Sequence, residues 1–511
     1  SDTNLGTGST SITGAGVTIG IGTTAFDNIY EVAEVSISPD NDKVGIVTCR
    51  ATIDSLDSQL EVDPPYHKQL FKLIPSPMPG IAVTSVQFGY STGVGTDRIV
   101  VAAPYAKVNS ITYAGAVYVY DLSGNQIGII TTSDATHTQY DYFGRNVAIG
   151  KTVGDNKIVA GKLGDDTPHP SVGSPANGGS AYIFDLDGSN EIKIYASDAA
   201  NQDEFGTEVG IGQSIIYVGA PGAIGYPTQG KKVYRFNFSG NQLGIITASD
   251  MNDADIDPNR PIVDDFGGSG IAVAPLGTNK IVIGDKQNTP GVGKTQAGAA
   301  YIYNLDGSNE IKITASDGDQ YDYFGDSVGI GSNRIVVGAP GYNKGGSISQ
   351  VGAVYIFDLS GNQLGIITAS DGAGGDRFGT GVEIESDKII VAAGSAQVNG
   401  TSSVGAIYVY NLDGSNETKI NPTNASANDR IGYFGVSVAS NKIVAGAPFD
   451  WLGPSLDSAG STFVFDLNLT NPPVPPPKNY GNFSWGRFSN LTRESAQQFT
   501  ISGNNVAGLS T

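Results

Sequence analysis

The chain has 511 residues, 70 of them Gly and 25 Pro, with 50 acidic against 29 basic side chains and a net charge of −21. Only 15% of residues are charged, against about 25% in an average soluble domain, and the abundance of turn formers points to short strands rather than helices. This balance excludes a nucleic-acid groove, which needs clustered Lys and Arg, and disfavours anionic membrane surfaces; the single Cys49 excludes a disulfide framework and a Cys-based zinc site.

In chain order, the opening SDTNLGTGST has neither the basic start nor the apolar stretch of a signal peptide, and no apolar run reaches the length of a spanning helix. Residues 1–65 contain β-like runs at 30–37 and 44–53 and are read as a β-rich mounting segment. An orphan run follows, HKQLFKLIPS from His67. Phe-Gly then recurs seven times, at Phe88, Phe143, Phe205, Phe266, Phe324, Phe378 and Phe434, every 54 to 62 residues, a period in the range of propeller blades.

The clearest copy, from Asp322, holds four β-rich runs: A (327–331), B (334–338), C (353–359) and D (364–369). A and B are joined by tight-hairpin residues such as Ser332-Asn333, and B is apolar almost throughout, as a strand covered on both faces must be. Neighbouring blades supply that cover, so the fold class is all-β: a seven-bladed β-propeller over 66–470 with four strands per blade. The C–D hairpins alternate strictly between DLSGNQLGIITASD-like and NLDGSNEIKITASD-like text, a two-blade unit repeated. The seventh copy ends at Leu467 and runs into the proline-rich linker 471–478, where Pro removes strand donors. The run from His67, which matches EIKITAS, is therefore expected to supply the missing strand D and to close the last blade.

Phe-Gly, an apolar strand, Gly-Ala-Pro (Gly219-Ala220-Pro221, Gly338-Ala339-Pro340, Gly446-Ala447-Pro448) and GAVYIFDL-like text together resemble the FG-GAP repeat of integrin α-subunit propellers and their bacterial and viral relatives. The resemblance covers about residues 67–468 and implies an adhesive or scaffold module without chemistry. The integrin-type calcium loop between Phe-Gly and Gly-Ala-Pro is replaced by a bare turn such as Gly331-Ser332-Asn333, so those calcium sites are not carried over and no cofactor is expected. GIGTTAFDNIYEV from Gly20 and NYGNFSWGRFSNLTRESAQQFTI from Asn479 resemble virion structural proteins of T4-like marine cyanophages. On that resemblance, 1–65 and the C-terminal β segment 479–511 pair as a mount that displays the propeller.

Alternating strand direction puts the uniform A–B and C–D turns on one face and the variable B–C and D–A loops on the other. Variable loops on a rigid scaffold are where binding usually sits. Tyr105, Tyr113, His169, Tyr226, Tyr342 and Trp451 are the ligand-face candidates there, weighed against rings that only pack their own loops. The D–A loops are acidic, with Asp198 beside Asp203, Asp317 beside Asp322 and Asp371 beside Asp376, a pattern that Asx turns explain. Alternate carboxylates Asp253, Asp255 and Asp257 are the best candidates for a calcium ion, although EF-hand spacing is absent. Gly-x-Ser-x-Gly matches at Ser91 and Ser327 fall in the repeat's own register, without a triad.

The reading is a non-enzymatic virion protein of the tail-fibre or baseplate-appendage class. Its expected partners are other virion proteins through the flanks and a host surface glycan or protein through the loop face, with homo-oligomerisation left open. A virion decoration or spacer without a ligand, and a secreted or cell-surface bacterial adhesin, are the alternatives.

Overall fold

The computed structural model describes residues 69–467, apart from 77–79, 83–84, 134–138, 153, 167–174, 223–230, 251–263, 344–348 and 454–458, together with backbone strands in the two flanks. Residues Pro65–Leu469 form one compact unit, and Ser1–Pro64 with Thr470–Thr511 form another. In the smaller unit, Thr10–Gly14, Val17–Phe26, Ile29–Pro39 and Gln498–Thr500 share a four-stranded sheet, with Glu34 opposite Thr500. Strands from both flanks thus meet in one sheet.

The larger unit is a seven-bladed β-propeller of four-stranded antiparallel blades. Blade 5 is representative: A is Val328–Ile330, B Ile335–Ala339, C Ala353–Phe357 and D Gln363–Ile367. The A strands follow one another around a central channel, and that of blade 7 (Val436–Ala439) meets that of blade 1 (Thr92–Val94), so the ring is closed.

The core lies between blades. In strand C of blade 2, Ser180–Asp185, Tyr182 and Phe184 face blade 1 while Ala181 and Ile183 face blade 3, and all four are buried. Aromatic residues on one side and aliphatic ones on the other give each interface a direction. The Phe of Phe-Gly completes it: Phe143 meets Tyr182 edge-on at 5.6 Å, and Phe205, Phe266, Phe324 and Phe378 repeat the contact in blades 3 to 6.

Phe-Gly and Gly-Ala-Pro meet through bare backbone. Within blade 3, Gly206 N–H donates to the Gly219 carbonyl at 2.9 Å. Between blades, the Gly206 carbonyl oxygen abuts Gly161 of blade 2, and Gly267 O abuts Gly219 of blade 3; a β-carbon at either site would lie within 1.8 Å of that oxygen. At these two sites only glycine permits the approach, whereas Ala102 of blade 1 and Ala392 of blade 6 stand at the equivalent position against Gly144 and Gly432.

Blade 7 departs from the motif. The residues in the Phe-Gly position are Ile431-Gly432: Ile431 is buried, its N–H donates to Val404 O, and Gly432 N–H donates to Gly446 O. Phe434-Gly435, taken from the sequence as the seventh copy, stands three residues downstream in the channel mouth. The buried Asp two places before the motif confirms the register, since Asp429 matches Asp203, Asp322 and Asp376.

Gln69–Leu73 is the fourth strand of blade 7, pairing Leu73 with Thr462 and Phe71 with Val464, so the last blade is closed from the N-terminal side. Lys72 adds an ion pair to buried Asp450 at 2.5 Å. The hairpin alternation acquires a physical meaning here. In blades 2, 4 and 6 the turn is one residue longer and Asp187, Asp306 or Asp413 caps it; in blades 1 and 5 Asp121 and Asp358 do so from the start of the turn. The shorter form regains register through a β-bulge at Ile127, Leu243 or Leu364. The bulge brings Gln242 and Gln363 to the place held by Glu191, Glu310 and Glu417, so that each grips a Ser of the preceding blade. The closing strand has this bulged form, with Gln69 holding Thr423, rather than the EIKITAS form that the sequence suggested.

Gly219→Ala is expected to lower folding stability by about 3 kcal/mol through overpacking against Gly267. Gly365→Ala, in an outer strand with open space around the position, should be neutral or stabilise by up to about 1 kcal/mol. Urea denaturation of the two variants checks the contrast.

Candidate functional site

Two carboxylates recur in the D–A loops that lead into blades 3 to 6, whereas the loop into blade 7 keeps only Asp429 and the loop into blade 1 has neither. The first reaches the next blade: Asp198 accepts from Tyr234 OH at 2.7 Å, and Asp250, Asp317 and Asp371 accept from Tyr301, Tyr355 and Tyr408 at 2.8–2.9 Å. Burial, reinforced by these carboxylates, pushes the four phenols well above the usual tyrosine range. The second is buried and accepts a backbone N–H three residues upstream, as Asp203 does from Ala200, Asp322 from Asp319, Asp376 from Ala373 and Asp429 from Ser426. Burial raises Asp322 and Asp429 to about 6. The acidity of these loops is therefore spent on clasps to the next blade and on caps within the loop itself.

The same anchoring presents the next residue to the channel mouth. Immediately before the Phe position stand Gln87, Tyr142, Glu204, Tyr323, Arg377 and Arg430, all with φ between 50° and 57°. Non-glycine side chains adopt this region only when their surroundings impose it. Here a buried residue on one side, Val86 before Gln87 and an Asp in the others, and the buried Phe or Ile on the other side do so. A position of variable chemistry is thus held in fixed geometry around the mouth.

Two groups of side chains occupy that mouth. The first is an aromatic arc over blades 7, 1 and 2. Tyr140, Tyr113, Tyr142 and Tyr105 contact one another with centroids 5.3–6.3 Å apart, and Tyr105 leads to Tyr90 at 6.0 Å. Tyr90 stacks on Phe434 at 4.1 Å and 25°, and Phe434 meets Tyr433 at 5.0 Å and Phe449 at 6.1 Å. Arg145 lies over Tyr90 at 4.5 Å, and Arg430 lies 5.0 Å from Tyr433 and 5.3 Å from Phe449.

The second group lines a cavity of about 330 Å³ in the channel. Asn146 donates to Glu208 at 3.0 Å, and Lys286 pairs with Asp326 at 2.8 Å. Lys151 of blade 2 reaches Glu383 of blade 6 at 2.6 Å, so an ion pair crosses the channel between non-adjacent blades. Enclosure by protein pushes the Glu208 carboxyl up to about 8 against the pull of Arg145 and Lys286, and it raises Asp265 as well. Desolvation lowers Arg145. Lys286 is raised, chiefly by Asp326.

Of the residues singled out in the sequence, Tyr105 and Tyr113 belong to the arc. Tyr342 instead packs edge-on against Tyr355 at 6.4 Å, with Asp317 beside its hydroxyl. Trp451 is 57% exposed on the loop side. His169, Tyr226 and the trio Asp253, Asp255 and Asp257 lie outside the described residues. Among the described residues, no group of three His, Cys, Asp or Glu side chains converges as metal ligands. Sequence reading missed Tyr90, Tyr142, Tyr433, Phe434, Arg145, Arg377 and Arg430. Their signal was available: all lie within three residues of a Phe-Gly or Ile-Gly pair, where attention went to the invariant positions.

Comparison with known families places FG-GAP repeats at residues 189–234, 308–357 and 362–410. Each begins at or just before a strand D and ends in strand C of the next blade, so the repeat unit straddles a blade boundary, the same offset that makes the closing strand necessary. No curated protein matches the chain.

A carboxyl held at about 8 in the fold but near 4.5 when unfolded keeps its proton better in the native state. Its contribution to stability is therefore full below about pH 4.5 and is lost as pH rises to about 8. Glu208→Gln should flatten this decline, so that Tm of the variant minus that of the wild type grows between pH 5 and pH 8.5. A difference that stays constant or shrinks would contradict the assignment.

Proposed function

We propose that this chain is a non-enzymatic adhesion protein of a phage virion, a tail-fibre or baseplate appendage whose propeller presents its B–C/D–A face to the host surface. A β-propeller with FG-GAP repeats is a fold often used for adhesion or ligand binding. The observation that carries the reading is the contrast between the two faces. The A–B and C–D turns are short and self-capped, whereas the opposite face gathers the aromatic arc, the exposed Trp451 and the position of variable chemistry before each Phe. A spacer without a ligand would need no exposed rings there.

The virion assignment has separate support. The flanks resemble structural proteins of T4-like cyanophages, and strands from both share one sheet, as suits a mount from which the propeller is displayed. Other virion proteins are the proposed partners of that unit, and a host surface glycan or protein is the proposed partner of the propeller.

Incubating the labelled full chain with cyanobacterial cells, the hosts of the phages that the flanks resemble, tests the reading. Saturable retention is expected, and Trp451→Ala should reduce it several-fold at unchanged Tm. Absence of retention on every host preparation would favour the decoration or spacer role instead.

A further inference from the structure

The loop-face reading leaves the chemistry of the ligand open, and one part of the arc narrows it. Phe434 keeps 41% of its surface exposed although three rings surround it, and it sits between Tyr90 on one side and the Tyr433–Phe449 pair on the other. Two guanidinium groups flank this patch. Arg377 donates to Tyr433 OH at 3.0 Å, and Arg430 rests on the Tyr433 and Phe449 rings. Their chain neighbours Asp376 and Asp429 do not neutralise them, because those carboxylates turn inward to Ala373 and Ser426.

In a chain of net charge −21, these are two cations within reach of one tyrosine and, among the described residues, neither has an ion pair. Arg377 spends one N–H on Tyr433 OH, and the remaining guanidinium donors of the two arginines suit a planar or tetrahedral anion. Exposed rings beside them offer a surface for the C–H face of a pyranose.

We propose that Phe434, Tyr433 and Phe449 with Arg377 and Arg430 form a subsite for an anionic sugar, one bearing a carboxylate or a sulfate. The inference rests on the adhesion reading of the loop face and specifies its ligand class. The anion bridges Arg377 and Arg430, and the sugar ring packs on Phe434. A single-stranded nucleic acid would also stack on rings, but it carries a charge on every nucleotide, and two arginines on an acidic chain match one or two anionic groups rather than a phosphate track. Repulsion from the remote negative charge is screened beyond roughly 8 Å at physiological salt, so local cations decide the outcome.

The test is calorimetric titration of the full chain with hexagalacturonate, a sulfated galactan hexamer, a neutral galactan hexamer and oligo-dT. Binding of one or both acidic hexamers at least about tenfold tighter than the neutral one is expected, and which arm binds identifies carboxylate or sulfate as the anion. Arg430→Gln and Phe434→Ala should each weaken it about tenfold with Tm unchanged, and added salt should weaken it further. Equal affinity for the neutral hexamer, tighter binding of oligo-dT, or failure of both acidic hexamers to bind would overturn the proposal. So would affinity for an acidic hexamer that both variants retain. Retention on host cells that survives Arg430→Gln would also remove this subsite while leaving the adhesion reading in place.

Discussion

At each of the described glycine pairs, the carbonyl of one blade's Phe-Gly glycine lies where strand B of the preceding blade would otherwise carry a side chain. Gly206 against Gly161, Gly267 against Gly219 and Gly379 against Gly338 show the same approach. Backbone on backbone brings the blades close enough for the Phe ring to wedge beside the strand C aromatics and for tyrosine hydroxyls to reach the preceding blade's aspartates. A methyl group at Gly161, Gly219 or Gly338 would meet that carbonyl oxygen and force the two blades apart; in blades 1 and 6 Ala102 and Ala392 hold the position, with their methyl groups set beside Gly144 and Gly432. The high glycine content is thus a condition of close packing, not of flexibility.

Once the interface is fixed, the remaining features follow as ways to keep seven copies equivalent. Two hairpin forms of different turn length reach the same register because one carries a bulge, and a Gln in one form does the work of a Glu in the other. The ring closes because Gln69–Leu73 arrives in the bulged form with its Gln in place, so blade 7 grips blade 6 through Gln69 as the other blades grip their neighbours. Closure leaves no open edge where the first and last blades meet.

The scaffold was readable because repetition multiplies a weak signal. Phe-Gly, the apolar strand B and the turn text recur until chance is excluded, and the missing fourth strand was marked by its absence after Leu467. Blade 7 shows where that reading breaks. Phe434-Gly435 satisfies the motif, yet Ile431-Gly432 fills the structural position, because the buried Asp429 two residues earlier sets the register and Ile431 is apolar enough to occupy the Phe pocket. The arc was hidden in part for a related reason. Tyr105 and Tyr113 stood out in a variable loop, but the other half of the arc comes from residues next to the motif, and neither spacing nor composition reveals that Tyr90 and Phe434, 344 positions apart, stack at 4.1 Å. In the sequence the acidic loops read as turn-forming, and their carboxylates do serve structure, one capping its own loop and the other reaching a tyrosine of the next blade, a contact that the sequence did not announce.

A rigid ring with one plain face and one variable face separates stability from recognition. Positions before the Phe can change chemistry without touching the interface, because the buried neighbours on either side hold the backbone. The claim beneath this account is that Gln69–Leu73 is an integral part of the ring rather than an attached segment. Native-state hydrogen exchange measures this directly. The account predicts that the amides of this strand bonded to strand C of blade 7 exchange with the same opening free energy as the amides of strand C itself. Exchange of those amides at a markedly lower opening free energy, with strand C still protected, would contradict it.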